Sequence, residues 1–317
     1  MIEYKIQKKK KSKYNKLIIG FVSLLLFIFL SMVGISIYVG WNLTKPKRDI
    51  IKSTPKKYGL IYEDISFQSN YDKTKLKGWW IPAQKSKKVL ESKKTVVFSH
   101  GYGDNRGLYD ISVINLAKRL AKEGYNVFTF DFRGSGESEG DFVSIGQFEK
   151  YDLLSAIDFV KKDKKSTDIN LMGWSMGAVA SILAGEESKD INKVVADSPF
   201  ANLKDYLKKN LPYWSHLPKF PFTDIILACL PTLRGIDINK VNATKAANNF
   251  KDKRLFLIHS KDDKAIPYEN SEIIYNEVNN KDNVQAWFTN KADHIKSYLL
   301  YKKEYEEKVI SFLNNNK

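Results

Sequence analysis

The stretch Leu171-Met172-Gly173-Trp174-Ser175-Met176-Gly177-Ala178 sets one serine between two glycines, where an apolar run hands over to a run of small residues. Gly173 to Gly177 fits the pattern G-x-S-x-G. The handover reads as a strand turning sharply into a helix, the context in which such a serine presents its hydroxyl at the top of a sheet. The glycines have a physical reason: the serine's backbone is strained in that turn, and side chains two residues either side would collide with strand and helix. Ser175 is the candidate nucleophile. A plain Gly-Ser turn matches the same five residues, so the rest of the chain has to supply the chemical partners.

A nucleophilic serine needs a base, and the chain has four histidines, His100, His216, His259 and His294. His100 stands at a strand end ahead of the serine, His216 lies in an irregular aromatic segment, and His259 sits inside an apolar strand. His294, in "NKADHIKSY" (Asn290–Tyr298), follows the last strand in a loop from which an imidazole reaches over the carboxyl edge of a sheet. It is the best-placed base. The third member should be a carboxylate that fixes the imidazole's tautomer and stabilises the imidazolium. "LIHSKDDKAIP" (Leu257–Pro267) supplies Asp262 and Asp263 just past a strand, in the chain order Ser, Asp, His. Adjacent acids cannot both point inward, so Asp263 takes the role, with Asp262 solvated and Asp197 as the fallback. Backbone N–H groups should hold the developing oxyanion. Met176, directly after the serine, gives one, and Tyr102 in the loop "HGYGDNRG" (His100–Gly107) gives the other.

Outward from these loops the chain alternates. Ile61–Gln68 and Leu76–Pro82 read as a strand pair. The buried strands Thr95–Gly101, Tyr125–Asp131, Ile169–Trp174, Lys193–Asp197, Arg254–Ser260 and Val284–Thr289 then interleave with helical spacing over Tyr109–Glu123, Gln147–Lys162, Gly177–Glu187, Tyr268–Val278 and Ser297–Leu313. Such alternation predicts an α/β fold, a mostly parallel sheet with helices on both faces. It breaks over residues 201–250, where the aromatic and proline-rich "LPYWSHLPKFPF" (Leu211–Phe222) reads as an inserted cap or lid.

The N-terminus is a different kind of sequence. Leu17 to Trp41 holds no charged side chain, and at about 1.5 Å per residue a helix of that length reaches about 37 Å, enough to cross a bilayer. The run is too long for a typical signal-peptide core and no A-x-A-like site follows it, so an uncleaved anchor is expected. This divides the chain into a basic tail (1–16), a transmembrane anchor (17–41), a linker (42–57) and one folded domain (58–317). Seven positive charges precede the span and six follow it closely. Their packing into the short tail favours an N-terminus inside and a folded domain outside the cytoplasm. The net charge of +16 follows the same division. Residues 1–57 carry 13 Lys/Arg against Glu3 and Asp49, a surplus of +11 that leaves +5 for the folded domain, so no nucleic-acid partner is expected. Cys229 is the only cysteine, which rules out an intrachain disulfide.

Taken together, "FSHGYGDN" (Phe98–Asn105), "DFRGSGESEG" (Asp131–Gly140), "GWSMGA" (Gly173–Ala178), "HSKDDKAIP" (His259–Pro267) and "ADHIKSY" (Ala292–Tyr298) resemble the α/β-hydrolase fold family, in its branch of small bacterial esterase or peptidase-like hydrolases. The resemblance covers Ile65 to Leu313. It implies Ser175 as nucleophile, Asp263 as acid, His294 as base, and Tyr102 and Met176 as oxyanion donors. One departure is that the branch commonly has Gly and an acidic residue where Ser260 and Lys261 stand here, which bears on the geometry of the Asp263 loop. A nucleotide-binding oxidoreductase is the first rival, since "GYGDNRG" follows a strand and Asp131 and Arg133 follow the next. It leaves Gly173–Gly177, Asp263 and His294 without a purpose. The second rival is a membrane-tethered binding module without chemistry. The expected substrate is a carboxylic ester, then a peptide or amide, then a thioester. The lid residues Phe200, Tyr206, Leu211, Tyr213, Trp214, Leu217, Phe220 and Phe222 either line an acyl pocket or fasten the lid to the core. The mechanism calls for no cofactor and no metal.

Overall fold

A computed structural model describes the backbone of residues 2–315 and the side chains of residues 13–315; most of the basic tail expected over 1–16 lies outside the described side chains. The chain opens with a single helix, α1 (Ile2–Leu43), that is apolar and long enough over Lys13–Leu43 to cross a membrane. Strands β1 (Glu63–Gln68) and β2 (Lys75–Ile81) form an antiparallel pair, and β3 (Gln84–Lys85) with β4 (Lys88–Val89) makes a small separate hairpin. There follow β5 (Lys94–Ser99), α2 (Val113–Lys122), β6 (Asn126–Phe130), α3 (Glu149–Lys162), β7 (Asp168–Trp174), α4 (Met176–Glu187) and β8 (Ile191–Asp197). Three helices interrupt the alternation, α5 (Leu203–Ser215), α6 (Phe222–Arg234) and α7 (Ala243–Asn248). The chain closes with β9 (Arg254–Ser260), α8 (Glu269–Glu277), β10 (Val284–Thr289), α9 (Ser297–Leu300) and α10 (Lys302–Asn314).

The sheet runs β1-β2-β6-β5-β7-β8-β9-β10, antiparallel at β1, β2 and β6 and parallel from β6 onward. Its central strands are apolar at every turn of the pleat because both faces are covered. In β9, Leu255 and Leu257 enter the core shared with α3, α4 and α7, while Phe256 and Ile258 enter the core shared with α2 and α10. Val97 and its neighbours Val96 and Phe98 in β5 divide the same way. Every parallel strand therefore ends at one edge, and the loops carrying Tyr102, Ser175, Asp263 and His294 all leave from it.

Two sequence expectations change in detail. The helix expected over Ser297–Leu313 breaks at Tyr301 into α9 and α10. Residues 42–57, expected as a linker, lie against the domain. Tyr102 Oη donates to Leu43 O at 2.6 Å, Val143 N to Thr44 O at 2.7 Å, and Asn105 Nδ2 to the carbonyls of Asp49 and Ile50, while Arg48 donates to the carbonyls of Gly136, Ser138 and Gly140. Polar composition hid this because most of the groups that residues 42–57 offer are backbone carbonyls, which composition does not report, and the Arg48 side chain pairs with a loop distant in sequence.

Candidate active site

Ser175 joins β7 to α4 with φ 55° and ψ −121°, a strained positive-φ conformation rare for a residue with a Cβ. The flanking glycines are demanded by close approach. A Cβ on Gly177 would lie 2.1 Å from Ser99 O, and one on Gly173 would lie 2.3 Å from Gly177 O. The turn is also held from β8, where Asp197 O accepts from Ser175 N at 2.8 Å. The result lifts the Ser175 hydroxyl off the sheet edge at the N-terminus of α4.

His294 Nε2 lies 2.8 Å from Ser175 Oγ, and His294 Nδ1 lies 2.7 Å from Asp263 Oδ2. A carboxylate only accepts, so Nδ1 carries the proton and donates to Asp263, and the Nε2 lone pair is left facing the serine hydroxyl. Asp263 is buried. Its Oδ1 accepts from Ala265 N and Ile266 N, both at 2.9 Å, which locks the carboxylate plane. Burial alone would raise its carboxyl, but hydrogen bonds from His259 and His294 outweigh burial and hold it well below the usual carboxylate range.

The remaining titratable candidates have other partners. His259, expected in an apolar strand, sits 3.2 Å through Nε2 from Asp263 Oδ2, donates from Nε2 to Ile266 O at 2.9 Å, and meets Ser271 Oγ through Nδ1 at 2.7 Å. It braces the acid loop from behind. His100 donates from Nδ1 to Gly101 O at 2.7 Å and accepts at Nε2 from Phe132 N at 3.0 Å. Burial lowers its pKa, so it is a neutral clasp on the glycine loop. His216 is exposed at the C-terminus of α5. Asp197 accepts from Tyr305 Oη at 2.7 Å and Ser198 Oγ at 2.9 Å, and Asp262 is exposed and accepts from Lys291 N at 2.6 Å. Asp131 and Arg133 are locked in ion pairs, Asp131 with Arg106, both buried, and Arg133 with buried Asp152 at 2.7 Å and exposed Asp72 at 2.7 Å. Neither faces a nucleotide site.

Tyr102 and Met176 line the same space as Ser175, and neither backbone N–H is engaged in a hydrogen bond among the described residues. That space is an apolar cavity of about 130 Å³. Of the aromatic residues read from the lid, Phe200, Tyr206 and Trp214 line it, as does Leu211; Tyr213 and Phe220 are 53% and 81% exposed, Leu217 packs against the core, and half-buried Phe222 is not among the lining residues. Tyr206 ties α5 to the Asp263 loop by donating to Ala265 O at 3.0 Å, and accepts from Trp214 Nε1 of the same helix at 2.7 Å. Sequence reasoning missed Leu43 and Asp104 as lining residues. Asp104 is an acid in an apolar wall: burial, with Asp49 and Asp110 nearby, pushes it up to about 7 against the hydrogen bond from Asn105 N. Its place after "HGYG" was the one available signal.

A serine on a strand-to-helix elbow, facing an imidazole that leans on a buried carboxylate above a parallel sheet, defines an α/β-fold serine hydrolase. The chain belongs to the α/β-hydrolase family. A family model described as "Serine aminopeptidase, S33" matches residues 90–242. The chain is 30% identical over 228 residues to the uncharacterized protein YqkD of Bacillus subtilis, covering 71% of this chain and 72% of that one. It is 27% identical over 263 residues to the lysophosphatidylserine lipase ABHD12 of Mus musculus, covering 78% of this chain and 62% of that longer protein. Among solved structures, the esterase Pf2001 of Pyrococcus furiosus superposes with a TM-score of 0.70 at 31% identity, over 86% of this chain and 97% of that one.

Proposed function

We propose that this hydrolase is a membrane-anchored carboxylesterase working through an acyl-Ser175 intermediate. His294 Nε2 takes the proton from Ser175 Oγ as the oxygen attacks the ester carbonyl, and Asp263 stabilises the imidazolium that forms. The N–H groups of Tyr102 and Met176, at the positive end of α4, hold the oxyanion. Collapse of the tetrahedral adduct breaks the acyl–oxygen bond, and the leaving alcohol receives the proton from His294. Water, deprotonated by the same imidazole, then attacks the acyl-serine; the fatty acid leaves and the serine recovers its proton.

The observation that carries this reading is the His294 bridge, 2.8 Å to Ser175 and 2.7 Å to Asp263, opening on an apolar cavity. Esters rather than peptides suit a cavity lined mainly by carbon, and the esterase and lipase relatives support the same choice. Residues 17–41 serve as the anchor, residues 201–250 as the lid over the site, and the domain 58–317 stands outside the cytoplasm.

The test is fluorophosphonate labelling of the full-length chain in detergent micelles, followed by ester and p-nitroanilide turnover. Wild type should label, and Ser175→Ala should not. Asp263→Asn should lower kcat about 10⁴-fold, whereas Asp262→Asn should change it less than about threefold, as expected for an exposed residue. Labelling that survives Ser175→Ala, or anilides cleaved faster than esters of the same acyl group, would overturn the assignment.

A further inference from the structure

The anchor helix does not stop at the domain boundary. Over Leu17–Leu30 its side chains are exposed on every face, but from Ser36 the face at Ser36, Gly40 and Thr44 is buried. This spacing of four is one stripe of a helix, and its small residues let α6 come close: a Cβ on Gly40 would lie 3.3 Å from Ile226 Cγ2. Arg234 of α6 stacks over the Trp41 ring at 3.5 Å and donates from Nε to Thr44 Oγ1 at 3.1 Å. One residue beyond Asn42, Leu43 lines the cavity that holds Ser175, and its carbonyl receives the Tyr102 hydroxyl, the side chain of the residue proposed as an oxyanion donor.

We infer that the last turn of α1 is a wall of the acyl pocket, that Leu43 sets its chain selectivity, and that the substrate is a single-chain ester amphiphile drawn from the bilayer α1 crosses. This rests on Ser175 as the acyl carrier. Tyr38 and Trp41 are exposed, aromatic and at the end of the apolar run, the residues and place that mark a bilayer surface. Leu43 lies about 3 Å further along the helix axis. An amphiphile's ester carbonyl rests at that same boundary between chains and headgroups, so its chain enters the pocket with little vertical movement. The cavity is apolar with the serine at its wall, and at about 130 Å³ it is small enough to suit one chain rather than two.

The experiment uses the full-length chain in phosphatidylcholine vesicles, with monopalmitoylglycerol in the same vesicles and a water-soluble acetate ester as paired substrates. In Leu43→Trp, the ratio of kcat/KM for the palmitoyl ester to that for the acetate ester should fall at least tenfold. Leu24→Trp, on the exposed part of the helix, should keep it within twofold. Leu43→Ala, which opens the wall, should raise the relative rate for a branched acyl chain at least threefold, and it reports independently should the tryptophan variant fail to fold. A ratio unchanged in both Leu43 variants, or a wild type that labels with fluorophosphonate but leaves monopalmitoylglycerol intact, overturns the inference while the Ser175 reading stands. A wild type that does not label fails at that earlier reading instead.

Discussion

Asp104 is the residue whose chemistry is least settled by its neighbours. Its carboxyl shares the pocket wall with apolar side chains, and burial pushes it up to about 7. The folded-state value lies above the ordinary carboxylate value near 3.8, so ionisation opposes folding. The cost is absent below about pH 4, grows as pH rises, and is complete above about 7. Thermal melts should therefore show Asp104→Asn raising Tm more at pH 8 than at pH 4. The same charge should make the pocket less hospitable to an apolar chain, so wild-type KM for a long-chain ester should rise between pH 6 and 8 and stay level in Asp104→Asn. Reading the sequence locates Ser175, His294 and Asp263 because each stands at a strand end in a recognisable order. It does not locate Asp104 or Leu43 in the pocket, since their positions depend on how residues 44–58 cross the glycine loop. Nor does it show that His259, placed inside an apolar strand, supports Asp263 from behind.

The elbow between β7 and α4 is legible in the sequence for a reason that packing makes plain. Its glycines are not there for flexibility. Backbone from β5 passes so close that a methyl group at Gly177 would meet Ser99 O at 2.1 Å and His100 O at 2.5 Å. These are backbone atoms in the centre of the sheet, unable to step aside. Gly177→Ala should cost about 3 kcal/mol, as overpacking in a rigid core does, and should lower the urea midpoint while abolishing fluorophosphonate labelling; a variant of unchanged midpoint would mean the strand and helix are less closely joined than described. The buried strands were readable as apolar runs bounded by turn residues. The hairpin of β3 and β4 was not, because two-residue strands carry no period, and the break at Tyr301 was not, because the apolar spacing runs on through it.

The molecule as a unit is an α/β hydrolase continuous with a helix long enough to cross a membrane. A leader removed after translocation and a permanent anchor both begin with such a helix; the anchor is the proposed reading, and α6, Tyr102 and Val143 all touch residues 40–44 at its far end. Alkaline carbonate washing should leave the full-length chain in the membrane pellet, and protease added to intact cells stripped of their wall should remove the domain. Release of an intact 36.5 kDa chain into the supernatant would argue against the anchor. The division into helix and hydrolase was open to sequence reading because charge and hydropathy change abruptly at both ends of the span. The docking of the junction was not: its carbonyls and small residues leave no compositional trace, and the partners of Arg48, Trp41 and Arg234 lie far away in sequence.

A helix that passes unbroken into the pocket wall, followed by a connector laced across the glycine loop, gives the catalytic domain no slack with which to roll or reach. On the proposed anchoring, such an enzyme would search in two dimensions and meet only the leaflet at its own feet. Its turnover would then track the mole fraction of ester in that leaflet rather than the amount in the surrounding volume, and lipid on the opposite side would stay out of reach until something else carried it across.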